Sequence, residues 1–309
     1  MEIRELEAFV KIASEKNFTR AAEELSLTQP AVTRQIAALE RELRTRLLDR
    51  LGRRVELTAA GAALLPYAAE MLRLADEARR AVGDVAQGVS GHLSVGASST
   101  AATYLLPPLL RRFREEHPGV EMSVHTGASA RVAEMVMTNA VDMAVVMGFR
   151  ARPGMQIVTL AEYANVVVTY PDHPLAREKR GLTVSALKNI PLILMQPETS
   201  LRAQVDALFA EAGVAPTVSM ELDNVEAIKK MIEARLGTSL LPRLAVESEV
   251  ADGRLAALTL REAPAARQQI SAIHRADKYQ SAALRAFVTL LTSELGAEDE
   301  AALISSIDA

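Results

Sequence analysis

The sequence predicts an α/β protein in three parts: a small N-terminal helical unit ending in a hairpin, one long helix, and a larger C-terminal domain of alternating strands and helices. Three observations carry this. Apolar residues recur at helical spacing in three short stretches before Leu43. The alanine-rich stretch from Thr58 to about Gly88 holds a heptad seam. From His92 onward, short β-prone runs alternate with helical ones, the pattern of α/β units on parallel sheets.

Composition bounds the rest. With 309 residues, 49% hydrophobic and 4% aromatic content and no Trp, the chain has apolar mass for about two domains, whose cores must be aliphatic. The absence of cysteine excludes disulfides, thiolate-ligated zinc or iron–sulfur clusters, and cysteine nucleophiles. His92, His117, His125, His173 and His274 show no metal-ligand spacing, so no cofactor is implied. A net charge of −4 argues against a chain that coats nucleic acid along its whole length, so DNA binding needs a local basic face. The amino terminus carries acidic residues and no long apolar run, which predicts neither a signal peptide nor a membrane span, and a cytoplasmic location.

Leu6, Phe9, Val10 and Ala13 form the stripe of a first helix ending near Lys16 and Asn17. Phe18 to Leu25 gives about two turns, with Ala21, Ala22 and Leu25 facing inward. Ser26 and Leu27 make a tight connection, Thr28 is a good N-cap, and Pro30 falls in the first turn, where its missing N–H costs nothing. In the third helix Val32, Ile36, Leu39 and Leu43 make the core face; the opposite face centres on Arg34, with Gln29, Thr33 and Ala37 also outward.

Two short helices joined by a tight turn, the second presenting Gln, Thr and Arg near its start, match the helix-turn-helix that sets its second helix in the major groove of double-stranded DNA. Arg pairs bidentately with guanine and Gln with adenine, while Thr33 and the helix N-terminus suit phosphate oxygens. Residues 47–57 read as two strands around a Gly-Arg-Arg turn, a wing that directs arginines to the minor groove or the backbone. From Thr28 to Leu57 seven arginines stand against four carboxylates, a net of +3 that supplies the local basic face.

In the long helix, Leu64, Ala68, Met71, Ala75, Ala78, Val82 and Val85 alternate spacings of four and three, a seam that wants a second copy of the chain; Pro66 bends the helix without ending it. Residues 87–91 read as a linker. Beyond it, strand-like runs fall at 93–97, 122–126, 143–146, 166–169, 192–195, 218–222, 239–241 and 270–274. The expected organisation is 1–58 for DNA binding, 59–89 for the linker helix and 90–296 for two lobes, one of about 90–163 with 267–296 and one of about 164–266. Residues 297–309 are expected to be a polar tail.

Several stretches carry a more specific signal: Phe9-Val10, Phe18-Thr-Arg-Ala-Ala-Glu-Glu-Leu25, Thr28-Gln-Pro-Ala-Val-Thr-Arg-Gln-Ile36, Leu39-Glu40 and Arg53-Arg54-Val-Glu-Leu-Thr-Ala-Ala-Gly61. Together they resemble the LysR-type transcriptional regulators, densely over residues 1–62. Weaker matches follow through Leu93 to Thr100, Leu105 to Pro107, Phe113 to Pro118 and Asp142 to Val146, out to about Leu295. The resemblance implies a winged helix-turn-helix, a dimerising linker helix, and a two-lobed effector domain like the periplasmic binding proteins. It also implies a dimer or tetramer on an interrupted palindrome and a small-molecule inducer; the candidate cleft residues, hydroxyls and amide donors with at most one nearby arginine, suit a small organic acid or related metabolite, an amino acid or a phosphorylated metabolite. On this chain the implied DNA contacts are Arg20, Gln29, Pro30, Thr33, Arg34 and Arg53. The implied effector contacts are Ser98, Ser99, Thr100, Thr126 and Met147 from the first lobe and Gln196, Thr199 and Arg202 from the second. At Glu198-Thr-Ser-Leu-Arg202 an acidic residue stands where the family often has the first glycine of a Gly-Ser-Gly-Thr-Arg-like stretch.

Plainer readings stand beside these. Ser98 to Thr100 follow a strand and precede a helix, so their hydroxyls and the free N–H groups suit a carboxylate or phosphate, or simply cap the helix. Ser200 is equally a cap and Arg202 an exposed first-turn residue; Asn224 reads as a cap before a ligand contact. An enzyme is the first competing function, but the Gly96-Ala-Ser98-Ser-Thr100 turn lacks the second glycine of a nucleophile elbow, and no phosphate-binding glycine pattern appears. Residues 90–296 alone suit a solute-binding protein, which would need export and no helix-turn-helix.

Overall fold

The structure, a computed structural model, describes residues 1–51, 54–87, 89–150, 152–178, 180–261 and 267–296. Two compact units emerge, Met1–Ala86 and Gln87–Ala309.

The first unit runs α1 (Ile3–Glu15), α2 (Phe18–Glu24), α3 (Gln29–Leu43), β1 (Leu48–Leu51), β2 (Arg54–Leu57) and α4 (Ala59–Gln87). Lys16 ends α1 in the left-handed region, and the Asn17 side chain accepts from the Thr19 and Arg20 amides to start α2. Ser26, also left-handed, makes the turn into α3. Leu6, Phe9, Ile12, Phe18, Val32, Ile36 and Leu39 close one core. β1 and β2 pair antiparallel, Leu48 opposite Leu57. Thr58 then starts α4, donating its hydroxyl to the Arg46 carbonyl and accepting from the Gly61 amide. A Cβ on Gly61 would stand 2.0 Å from the Leu47 carbonyl oxygen, so helix and hairpin meet there backbone to backbone.

The seam expected along α4 is divided. Leu64 and Ala68 pack into the core with Leu65 and Leu72, while Tyr67, Leu74 and Val82 are 67%, 52% and 72% exposed, with Met71 beside them. The helix-turn-helix core takes the first two seam positions, and the exposed stripe continues through the seam positions Met71 and Val82. The Val85 side chain and the wing tip at Gly52 and Arg53 lie outside what is described, as does the expected tail.

The second unit is two-lobed. β3 (Gly91–Ser98) lies between β4 (Val120–Gly127) and β5 (Met143–Met147), parallel to both. β5 also pairs antiparallel with β11 (Arg267–Arg275). All five β5 residues are buried because both faces are covered: Met143, Val145 and Met147 face the core of α5 (Ser99–Tyr104), α6 (Leu106–Glu116) and α11 (Ala282–Leu295). Ala144 and Val146 face α7 (Ser129–Met137). β6 (Met155–Thr169) is shared by both lobes. Its first part pairs with β11 and puts Leu160 in the first core; its second pairs with β9 (Ser239–Pro242) and β10 (Ala256–Leu258) and puts Val166, Val167 and Val168 in the second. β7 (Pro191–Met195) and β8 (Thr217–Leu222) are parallel, followed by α8 (Ser200–Glu211) and α9 (Val225–Glu233) respectively. The short α10 (Glu247–Ala251) precedes β10.

Two expectations are corrected. The main sheet is mixed, because β6 and β11 run antiparallel to their neighbours. The strand expected at 166–169 begins at Met155, since the preceding stretch is only half-buried and carries a polar pattern.

Candidate functional site

In the first unit, α3 buries Val32, Ile36 and Leu39 and leaves Gln29, Pro30 and Arg34 exposed, with Thr33 half-buried beside them. Arg20 is exposed on α2. Thr28 occupies the N-cap position with extended backbone, yet its side chain makes no cap hydrogen bond among the described residues. Its hydroxyl and the helix start are therefore free to meet an anion. Arg53 lies outside the described residues.

In the second unit, a cleft of about 600 Å³ lies between the lobes. The starts of α5, α7, α8 and α9 all line it. Each follows a strand, so the sheet order delivers four helix starts to one place. Their first-turn N–H groups carry partial positive charge. Thr199 caps α8 by accepting from the Arg202 amide at 3.2 Å, and Asn224 caps α9 by accepting from the Ala227 amide at 2.7 Å.

Of the residues expected to meet an effector, Ser98, Ser99, Thr100, Met147 and Thr199 line this cleft. Thr126, Gln196 and Arg202 are not among its lining. Thr126 is exposed on β4, and the Gln196 backbone bonds to Leu222 and Thr199. Arg202, read from sequence as an exposed first-turn residue, is held by Asp206, by the Met195 carbonyl at 2.9 Å and by Glu221 at 2.6 Å.

The lining also includes residues the sequence reading did not single out. Arg150 and Arg152 follow β5, with Arg152 over the Phe149 ring at 5.6 Å. A Gly-aromatic pair directly after a strand was the available signal for that loop. Tyr104, at the end of α5, donates its hydroxyl to Glu226 of α9. Behind them Lys229, 2% exposed, reaches Glu226 and Glu249, each at 2.8 Å, and the Ala245 carbonyl at 2.9 Å. The Tyr104 ring centroid lies 5.0 Å from its ammonium. Burial, with the Glu226 carboxylate beside it, pushes the Tyr104 phenol far above its ordinary value, so it remains a donor.

Comparison with known proteins matches both units. Residues 3–62 match the family described as "Bacterial regulatory helix-turn-helix protein, lysR family", and residues 86–296 match "LysR substrate binding domain". A "Probable RuBisCO transcriptional regulator" of Trieres chinensis is 30% identical over 292 residues, covering 92% of this chain and 94% of the relative. Full-length CbnR, solved in complex with its target DNA, superposes with a TM-score of 0.64 at 27% identity, covering 95% of this chain and 99% of that one. The Synechocystis CcmR regulatory domain in complex with 2-PG superposes with a TM-score of 0.63 at 26% identity, covering 68% and 99%. An exposed helix-turn-helix face followed along the same chain by a two-lobed cleft domain agrees with both matches, and the protein belongs to the LysR family of transcriptional regulators.

Proposed function

We propose that the chain reads an interrupted palindromic operator as a dimer or tetramer and changes its grip when a small acidic metabolite enters the interlobe cleft. The observation that carries the effector half is the convergence of four helix starts on one cleft, an arrangement suited to a carboxylate or phosphate. Base contacts fall to Gln29 and Arg34 and a phosphate contact to Thr33, with Arg20, Pro30 and Arg53 completing the DNA-facing set. Residues 1–58 form the DNA-reading part, 59–89 the pairing helix and 90–296 the effector part, in lobes of 90–163 with 267–296 and of 164–266.

Self-association through α4 is supported by its exposed apolar stripe, and CbnR, solved on its target DNA, supports the DNA half. Among the described residues no helix is long and apolar enough to cross a membrane, and we place the protein in the compartment that holds the DNA. An effector that prefers one lobe arrangement biases how paired α4 helices present the two reading heads. Footprinting the operator with and without a stabilising metabolite tests this. A shifted or shortened footprint is expected, and an unchanged one despite measured binding overturns the proposal.

A further inference from the structure

The two walls of the cleft differ in charge. On one wall α7 starts with no acidic residue in its first turn, and Arg150 and Arg152 stand on the loop after β5. On the other wall Glu198 precedes the α8 cap, Asp223 precedes the α9 cap, and Glu226 lies in the first turn of α9. Carboxylates at a helix start offset its partial positive charge, so this second wall repels an anion and attracts a cation. Glu226 remains ionised: burial alone would raise its carboxyl, but hydrogen bonds from Lys229 and Tyr104 outweigh this and hold it below the ordinary carboxylate value. A separate observation points to a ligand. Ser98, 6% exposed, lines the cleft at the end of β3, and its hydroxyl has no hydrogen-bond partner among the described residues. A buried hydroxyl left without a partner is costly, and a bound molecule would satisfy it.

We propose that the effector is a small zwitterion, with its acid group against Ser98, the start of α7, Arg150 and Arg152, and its ammonium against Glu198 and Asp223. The inference rests on the reading of this cleft as the effector site. A dianion would press its second acid group against Glu198 and Asp223, and a neutral molecule would leave the charges of both walls unmatched. The hydroxyl analogue of an amino acid keeps the acid group and loses only the contact with the second wall.

Calorimetric titration of the full chain with matched pairs tests the assignment: glycine against glycolate, L-alanine against L-lactate, and L-serine against L-glycerate, with succinate as the dianionic member. The amino member of at least one pair is expected to bind about tenfold tighter than its hydroxy counterpart, the size of one charge-assisted hydrogen bond. Glu198→Gln with Asp223→Asn should bring that pair to within about threefold, the residual expected once the charges are removed. Arg152→Ala should weaken both members. Hydroxy or dianionic members that bind as tightly as the amino ones overturn the zwitterion and leave the cleft reading standing. Thr100→Trp, which intrudes on the cleft beside Ser98, should weaken binding of every probe, and binding untouched by it overturns the cleft reading itself. No binding by any probe at millimolar concentration overturns both.

Discussion

The Ser200 hydroxyl donates to the Met147 carbonyl at 3.1 Å, from the start of α8 in one lobe to the end of β5 in the other. The same oxygen accepts from Ser129 of α7 at 3.0 Å. With Thr199 serving as the cap of α8, Ser200 is free to tie the lobes. Ser200→Ala should cost about 0.5–1.5 kcal/mol, as for a neutral hydrogen bond, and lower the melting temperature by about 2–4 °C. An unchanged melting curve would show that the tie carries no net stability.

Arg34 and Gln29 are exposed beside an α3 start that no side chain among the described residues caps. Arg34→Ala is expected to cost about 1–3 kcal/mol per base contact and to abolish specific retardation of operator DNA in a gel shift. Gln29→Ala should act in the same direction. Specific retardation at wild-type protein concentration would remove these residues from base readout.

The Glu226 carboxyl is held low by Lys229 and Tyr104 against the opposing effect of burial. A group whose folded-state value is depressed contributes its full stability above the unfolded value and loses it as pH falls through the folded one. The melting temperature should therefore drop on acidification from about pH 5 toward about pH 3, and Glu226→Gln should flatten part of that drop. Parallel pH profiles for the two proteins would mean that Glu226 has no share in it.

Lys229 is buried against Glu249 and Glu226. Lys229→Ala should destabilise by about 3–5 kcal/mol, because it strands buried negative charge. Chemical denaturation reads this directly, and a loss below about 1 kcal/mol would mean that solvent reaches the site.

Tyr67, Met71, Leu74 and Val82 expose an apolar stripe on α4. Leu74→Asp should shift the protein toward monomer in sedimentation, and with it weaken operator binding, since linked reading heads bind far more tightly than single ones. A dimer of undiminished stability would place the pairing surface elsewhere.

Much of the first unit was legible in the sequence because its signals are local. Leu6 and Phe9, Val32 and Ile36, and Pro30 in the first turn each act through residues a few positions away. The cleft was legible only where a hydroxyl follows a strand, as at Ser98 to Thr100. Tyr104 and Glu226 are 122 positions apart, and only the packing of two lobes brings them together. Arg202 shows the opposite case: its residue type suited an anion clamp, but Glu221, 19 positions away on β8, draws it off the cleft. On α4 the seam positions Met71, Ala78 and Val82 are exposed, while Leu64 and Ala68 go to the helix-turn-helix core, because periodicity cannot say which turns a neighbouring core will use.

The backbone contact at Gly61 has one more consequence. With the Leu47 oxygen where a Cβ would sit, there is no room for a cushion between hairpin and long helix, and close-packed interiors transmit displacement with little give. Any turn of α4 about its own axis therefore swings the hairpin with it. The wing is the needle of a gauge whose spindle is the linker helix.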